Sequence, residues 1–97
     1  MENVKEIVWK IYKGYRREIL FENKEVVIFT ISFIHNYVMI LDKKNRIMYA
    51  CCEEGYEYIT EEISLTHIGW TDIKSNNRHL ITDVINKYID IPRIYFL

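Results

Sequence analysis

The side chains best suited to metal or acid–base chemistry in this sequence stand close together in one segment. His79 and Asp83 are four residues apart, so on a helix they would lie on the same side and could pair or share a metal ion. Two ligands do not make a metal site, and no HExxH, paired CxxC or EF-hand pattern accompanies them. A hydrogen-bonded His and Asp on a surface helix is the simpler interpretation, and we predict neither a metal nor a cofactor.

A small ligand or an anion could bind around the start of the same helix. Asn77 and Arg78 would offer backbone N–H groups and a guanidinium to an anion, although they would serve equally well as an ordinary helix cap. Trp70 and Asp72, in the loop predicted before the helix, could form the rim of a pocket, although core packing of Trp70 is the simpler account. The candidate ligand- or anion-binding residues are Trp70, Asn77, Arg78 and His79.

Catalysis has little support in the residue pattern. Cys51 would need an imidazole beside it, no Cys-His motif is present, and a strand cysteine is more often a small buried hydrophobe. The three glycines stand far apart, which excludes a glycine-rich phosphate loop. We therefore predict no catalytic residues and favour a non-enzyme. A phosphate-ester hydrolase with His67 or His79 as acid or base, and Arg78 stabilising charge, stays open as an alternative.

Nucleic-acid binding would require a local basic patch. Thirteen basic and fourteen acidic side chains leave a net charge of -1, so no global positive field attracts a phosphate backbone. Arg16 and Arg17 follow the last turn of the first predicted helix, where positive charge suits the helix dipole. The other basic residues occupy a hairpin tip, for which an ordinary solvated turn is the simpler interpretation. The candidate nucleic-acid-binding residues are Arg16, Arg17, Lys43, Lys44 and Arg46.

Hydrophobic periodicity predicts the elements that must position these residues. Apolar residues at helical spacing predict an N-terminal helix, which Gly14 would end in a left-handed conformation, and a C-terminal helix after Asn76–Asn77. Between them, residues rich in Ile, Val, Phe and Tyr predict an antiparallel meander joined by tight hairpins, and a fifth strand is favoured from Tyr56. The predicted helices are 3–13 and 78–90, and the predicted meander strands are 17–22, 25–34, 37–42 and 46–52.

The predicted turns fix a register for the meander. A two-residue turn at His35–Asn36 would set Ile31 opposite Ile40, and one at Asn23–Lys24 would set Leu20 opposite Val27. Both faces of the sheet are then apolar, where a half-solvated antiparallel sheet would alternate cleanly. One face would carry Leu20, Val27, Phe29, Ile31, Phe33, Val38 and Ile40, and the other Ile19, Phe21, Val26, Ile28, Ile34, Met39 and Leu41.

A sheet that is apolar on both faces has to be covered on both sides. Either one helix covers each face, or both helices pack on one face and a second molecule closes the other. The apolar C-terminal segment 94–97 would also invite pairing if it were exposed. We therefore predict a homodimer.

Length and composition indicate one folded domain, residues 1–97, of the α+β class: four to five antiparallel strands flanked by an N-terminal and a C-terminal helix. The chain is 49% hydrophobic and 28% charged, unlike disordered segments. Adjacent Cys51 and Cys52 favour a reducing compartment, and the acidic, amphipathic start does not resemble a signal peptide. Residues 26–41 are too few to span a bilayer. We expect a cytoplasmic protein without a membrane segment.

The favoured function is therefore non-catalytic binding. The eight tyrosines suit contacts that are both apolar and hydrogen-bonding, as at protein interfaces. Abundant Ile, Tyr, Asn and Lys with a single Ala suggest an AT-rich genome, where viruses and mobile elements encode many small proteins. We expect an accessory or host-defence-inhibiting protein that occludes a host factor or sequesters a small ligand.

Overall fold

The computed structural model describes residues 3–32, 36–52, 63–74 and 78–89, which form two helices and five strands. Neither helix among these residues is long and apolar enough to cross a membrane. The elements in chain order are α1 (Val4–Ile11), β1 (Arg16–Glu22), β2 (Val26–Ser32), β3 (Asn36–Asp42), β4 (Ile47–Cys52), a 3-10 turn (Thr66–Ile68), β5 (Thr71–Lys74) and α2 (Arg78–Asn86).

The described strands form one mixed sheet in the order β1-β2-β3-β4-β5. The α+β arrangement and the four-stranded antiparallel meander agree with the prediction. The prediction of a wholly antiparallel sheet is wrong, because β5 runs parallel to β4, with Ile47 opposite Thr71. Residues 53–70 connect these two strands, and a parallel pair requires such a crossover in place of a hairpin. Asp72, predicted in a loop, lies on β5, and the strand predicted from Tyr56 lies outside the described residues.

Helix α1 is capped by a side chain at its start and is shorter than predicted. The Asn3 side chain accepts a hydrogen bond from the Glu6 N–H at 3.2 Å and so caps the first turn. The helix ends at Ile11, two residues earlier than predicted, and Gly14 does not take the left-handed conformation. Among the described residues, positive φ occurs at Gly69 (87°), after the 3-10 turn, and at Arg46 (56°), at the end of the β3–β4 turn.

The register between β2 and β3 differs from the prediction by three residues. Ile31 pairs with Tyr37 and Thr30 with Val38, and Asn36 is a β3 residue opposite Ser32 rather than part of a turn. Because side chains alternate between faces, a shift by an odd number moves all of β3 to the other side. Val38 and Ile40 therefore share a face with Val26 and Ile28. The opposite face carries Met39 and Leu41 together with Val27, Phe29 and Ile31.

The β1–β2 hairpin turns one residue later than predicted. The Asn23 carboxamide oxygen accepts hydrogen bonds from the N–H groups of Glu25, at 2.8 Å, and Val26, at 2.9 Å. This bonding places Lys24 and Glu25 at the tip and sets Glu22 opposite Val27, where Leu20 was predicted. A bulge between Ile19 and Phe21 adds a further shift within β1.

Two hydrophobic clusters lie on opposite faces of the sheet, as the two-faced apolar pattern predicts. The first cluster includes Val4, Val8 and Tyr12 of α1, and the second includes Ile81, Val84 and Ile85 of α2. Among the described residues, α1 therefore packs side chains against one face of the sheet and α2 against the other. The homodimer argument from an uncovered face loses its premise, and the homodimer itself stays a prediction.

Candidate functional site

The residues predicted to bind a ligand or anion lie in separate parts of the fold. Trp70 is 8% exposed and packs in the first cluster, just before β5. Arg78 and His79 belong to the first turn of α2, whose buried side chains pack in the second cluster. Their own side chains, and Asn77, are outside what the structure describes. Trp70 therefore has a core role on the other face from α2, and ligand binding by this group stays a prediction.

The five predicted nucleic-acid-binding residues divide between the two ends of the sheet. Arg16 and Arg17 begin β1 and pair with Ser32 and Ile31 at the end of β2. Lys43, Lys44 and Arg46 lie in the β3–β4 turn, beside the β1–β2 tip, where the Lys43 Nζ donates to the Asn23 carbonyl at 2.9 Å. A seven-residue strand separates the two groups by roughly 20 Å. They do not form one patch, and nucleic-acid binding stays a prediction.

The remaining candidates for chemistry are also separate. His67 is exposed in the 3-10 turn before β5, and His79 follows β5 on α2. Cys51 is a buried thiol in the second cluster, 1% exposed, which agrees with its interpretation as a small hydrophobe. Within the described residues, no group of three or more His, Cys, Asp or Glu side chains is placed to hold a metal ion.

Asp72 is the centre of a polar cluster beside β5 that sequence reasoning missed. Its Oδ2 accepts from the Ser64 hydroxyl at 2.7 Å, and its Oδ1 accepts from the Leu65 N–H at 3.1 Å. The Lys74 Nζ lies 3.9 Å from Oδ2 and donates to the Ile63 carbonyl at 2.6 Å. These contacts fasten the segment before the 3-10 turn to β5. The one signal in the sequence is the i, i+2 spacing of Asp72 and Lys74, which sets both on one face of a strand.

Two tyrosines near the β3–β4 turn are held in their neutral form. Burial raises the pKa of Tyr49 above its ordinary value, and the negative charge of Asp42 adds to the effect. Burial also raises the pKa of Tyr88, with Asp42 and Glu25 adding to it. Asp42, 4% exposed, accepts hydrogen bonds from the Asn45 N–H at 3.0 Å and from its Nδ2 at 2.9 Å. These phenols are therefore poor acid–base groups at neutral pH, and the carboxylate holds the turn.

β1 is an edge strand of the described sheet. We call β1 together with the neighbouring Trp9 the β1 edge, and its residues are of the types found at protein contact surfaces. Among the described strands, β1 pairs only with β2. Ile19, in the middle of β1, is 36% exposed. The Arg17 guanidinium lies over the Trp9 ring, with 4.3 Å from Cζ to the ring centroid, and donates to the Trp9 carbonyl. Trp and Arg are the residue types that most often dominate interface energies.

Helix α1 holds the side chains of the β1 edge in place. The Lys5 Nζ contacts Glu22 Oε1 at 2.9 Å near one end of β1, and Trp9 contacts Arg17 near the other. The helix therefore runs antiparallel to the strand. Trp9 also packs edge-on against Phe29 of β2, with ring centroids 5.4 Å apart. The charged side chains on either side of Ile19 are thus held by contacts within the chain.

No family model matches this chain, and comparison with the curated proteins and with the solved structures finds no similar protein. The function has to be argued from the site alone.

Proposed function

We propose that this chain is a non-enzymatic interaction protein whose contact surface is the β1 edge, and that it acts by occupying a partner's surface. The observation that carries the proposal is Ile19, an apolar side chain that is 36% exposed on a strand with one described neighbour. A strand in this position offers backbone N–H and C=O groups to an added strand. An exposed apolar residue next to an ordered Arg and Trp supplies the side-chain part of such a contact.

The same edge has features that restrict which strands can add to it. Arg16, Arg17, Glu18 and Glu22 make β1 strongly charged, and the bulge between Ile19 and Phe21 interrupts its alternation. Charges and bulges on edge strands prevent uncontrolled pairing. A partner must therefore match both the charges and the bulge, which favours one specific contact over open-ended aggregation.

The composition supports a proposal about the biological setting. The tyrosine content and the single-Ala, Ile- and Asn-rich composition favour an intracellular accessory protein of a virus or mobile element that occludes a host factor. The hydrolase alternative stays a prediction, because His67 is exposed in the 3-10 turn and the side chains of Arg78 and His79 lie outside the described residues.

The test compares two isoleucine variants that differ only in position. Ile19→Lys places a charge on the β1 edge, whereas Ile11→Lys makes the same change on α1, where the side chain is 45% exposed. Tagged wild-type and variant proteins are used for quantitative affinity capture from the native host's lysate, with circular dichroism to verify folding. We expect a protein that wild type and Ile11→Lys retain and Ile19→Lys loses. Equal retention by all three would remove the β1 edge as the surface that contacts a host factor.

A further inference from the structure

We infer that the β1 edge binds a second copy of this chain, by antiparallel pairing of the two β1 strands about a twofold axis. This inference rests on the proposed function in that it uses the same contact surface, and it assigns that surface to a second copy of the chain in place of a host factor. Its basis is the distribution of charge along β1, which begins with Arg16 and Arg17 and ends with Glu22. Two such strands laid antiparallel bring the basic end of each beside the acidic end of the other.

The faces of β1 select the register of that pairing. Arg17, Ile19 and Glu22 pair with β2 residues of the first cluster, so they lie on its face of the sheet. Glu18 and Phe21 lie on the other face, opposite Thr30 and Ile28. A twofold axis perpendicular to the sheet keeps equivalent faces together, so only residues of the same face can stand opposite one another.

One register satisfies both the faces and the charges. It sets Arg17 opposite Glu22 of the second copy and Ile19 opposite Ile19 of the second copy, all on the face of the first cluster, with the bulged Leu20 of each strand flanking the axis. Sliding the strands by one residue sets either Arg16 or Glu18 opposite Glu22, and both of these residues lie on the other face of β1 from Glu22. The bulge that interferes with other strands is therefore matched by the same bulge in a second copy.

The side chains that would meet are already ordered. Glu22 is held by Lys5 at 2.9 Å, and its side chain is still 36% exposed. The Arg17 guanidinium is stacked on Trp9, which leaves N–H groups in its plane for a carboxylate. Ordering before contact lowers the entropy cost of forming the two Arg17–Glu22 pairs.

Sedimentation velocity over a range of concentrations tests the inference through two opposite charge reversals. We expect wild type to dimerise, and Arg17→Glu and Glu22→Lys each to weaken dimerisation roughly tenfold or more, because each sets like charges opposite one another twice. An equimolar mixture of the two variants should restore the dimer, since both cross-strand pairs are then attractive. Lys44→Glu and Glu25→Lys, charge reversals at exposed positions outside β1, should dimerise like wild type.

A wild-type protein that stays monomeric at every concentration would overturn this inference. So would a dimer that both reversals leave intact, or two variants that stay monomeric when mixed while circular dichroism shows both folded. These results are separate from the capture experiment: a monomer whose captured partner depends on Ile19 would retain the proposed function and reject only the second copy as partner.

Discussion

A single carboxylate, Asp72, connects β5 to the segment before the 3-10 turn. It accepts hydrogen bonds from the Ser64 hydroxyl and the Leu65 N–H, and it lies 3.9 Å from the Lys74 Nζ. Leu65 is fully buried, so its N–H group has no easy access to water if the carboxylate is removed. We interpret Asp72 as a structural clamp, because hydroxyl, amide and ammonium donors all converge on a side chain that is 11% exposed.

The clamp can be measured by comparing two aspartates. We expect Asp72→Ala to lower the free energy of unfolding by about 2 kcal/mol, since a buried N–H group loses its acceptor. Asp72→Asn should cost less, because its carboxamide oxygen can still accept from the Leu65 N–H. Asp83→Ala, at an exposed position of α2, should change stability by less than about 0.5 kcal/mol. Urea unfolding of the four proteins measures this, and equal stability of Asp72→Ala and wild type would contradict the interpretation.

Individual residues could be picked out from the sequence more readily than their partners. The sequence marks Trp70, Asp72 and Arg17 as candidate binding residues. For Trp70 it favours packing in the core, and the structure places this residue in the first cluster. Arg17 was considered for the dipole of the preceding helix, but its stacking on Trp9 depends on how α1 crosses β1. The bond from Ser64 to Asp72 likewise depends on the parallel placement of β5. No local pattern contains such long-range contacts.

At the scale of elements, the four meander strands could be predicted within a few residues, but their register could not. A register is well specified when one face is apolar and the other polar, because a slip then exposes apolar side chains. Here both faces are apolar, so the observed pairing of Ile31 with Tyr37 and the predicted pairing with Ile40 both bury hydrophobic residues. The β1–β2 turn was decided by hydrogen bonds of the Asn23 side chain rather than by hydrophobicity.

β5 was missed for a different reason. It has four residues, with the sequence TDIK, so only Ile73 is apolar and no alternation is visible. Its place beside β4 depends on tertiary contacts such as the hydrogen bond from the Thr71 N–H to the Arg46 carbonyl, at 2.9 Å. Propensity alone assigns such a segment to a loop.

Tyr49, on β4, and Tyr88, just after α2, should make stability depend on alkaline pH. Burial, and then the charge of Asp42, raises the pKa of Tyr49 and of Tyr88 in the folded protein above the ordinary value of 10.0. The unfolded chain therefore loses these protons first, and the stabilisation that is complete below pH 10 is lost as pH rises through the folded-state pKa values.

Urea unfolding between pH 8 and pH 11.5, roughly from two units below the ordinary phenol pKa to above it, measures this dependence. We expect the free energy of unfolding to fall with rising pH, and the fall to be smaller in the double variant Tyr49→Phe, Tyr88→Phe. Phenylalanine keeps the ring and removes the titrating hydroxyl. The same slope in the double variant and in wild type would show that other groups cause the loss.

At the scale of the whole molecule, one sheet is shared by two cores. Successive residues of β2 alternate between them: Val27 and Phe29 belong to the first cluster, and Val26 and Ile28 to the second. Neither core can lose its packing without disturbing strands that the other core needs. The described residues should therefore unfold as one cooperative unit, although α1 packs in one cluster and α2 in the other.

The two tryptophans make this cooperativity measurable. Trp70 belongs to the first cluster and Trp9 packs against it, so tryptophan fluorescence reports on that core alone. Ile85→Val removes one methyl group from the second cluster and should cost about 1 kcal/mol. If the sheet couples the cores, the fluorescence midpoint in thermal unfolding falls by as much as the far-ultraviolet circular dichroism midpoint. Val8→Ala, in the first cluster, is the matched control and should also move both signals together. A fluorescence midpoint that Ile85→Val leaves unchanged, while the dichroism midpoint falls, would mean that the two faces unfold independently.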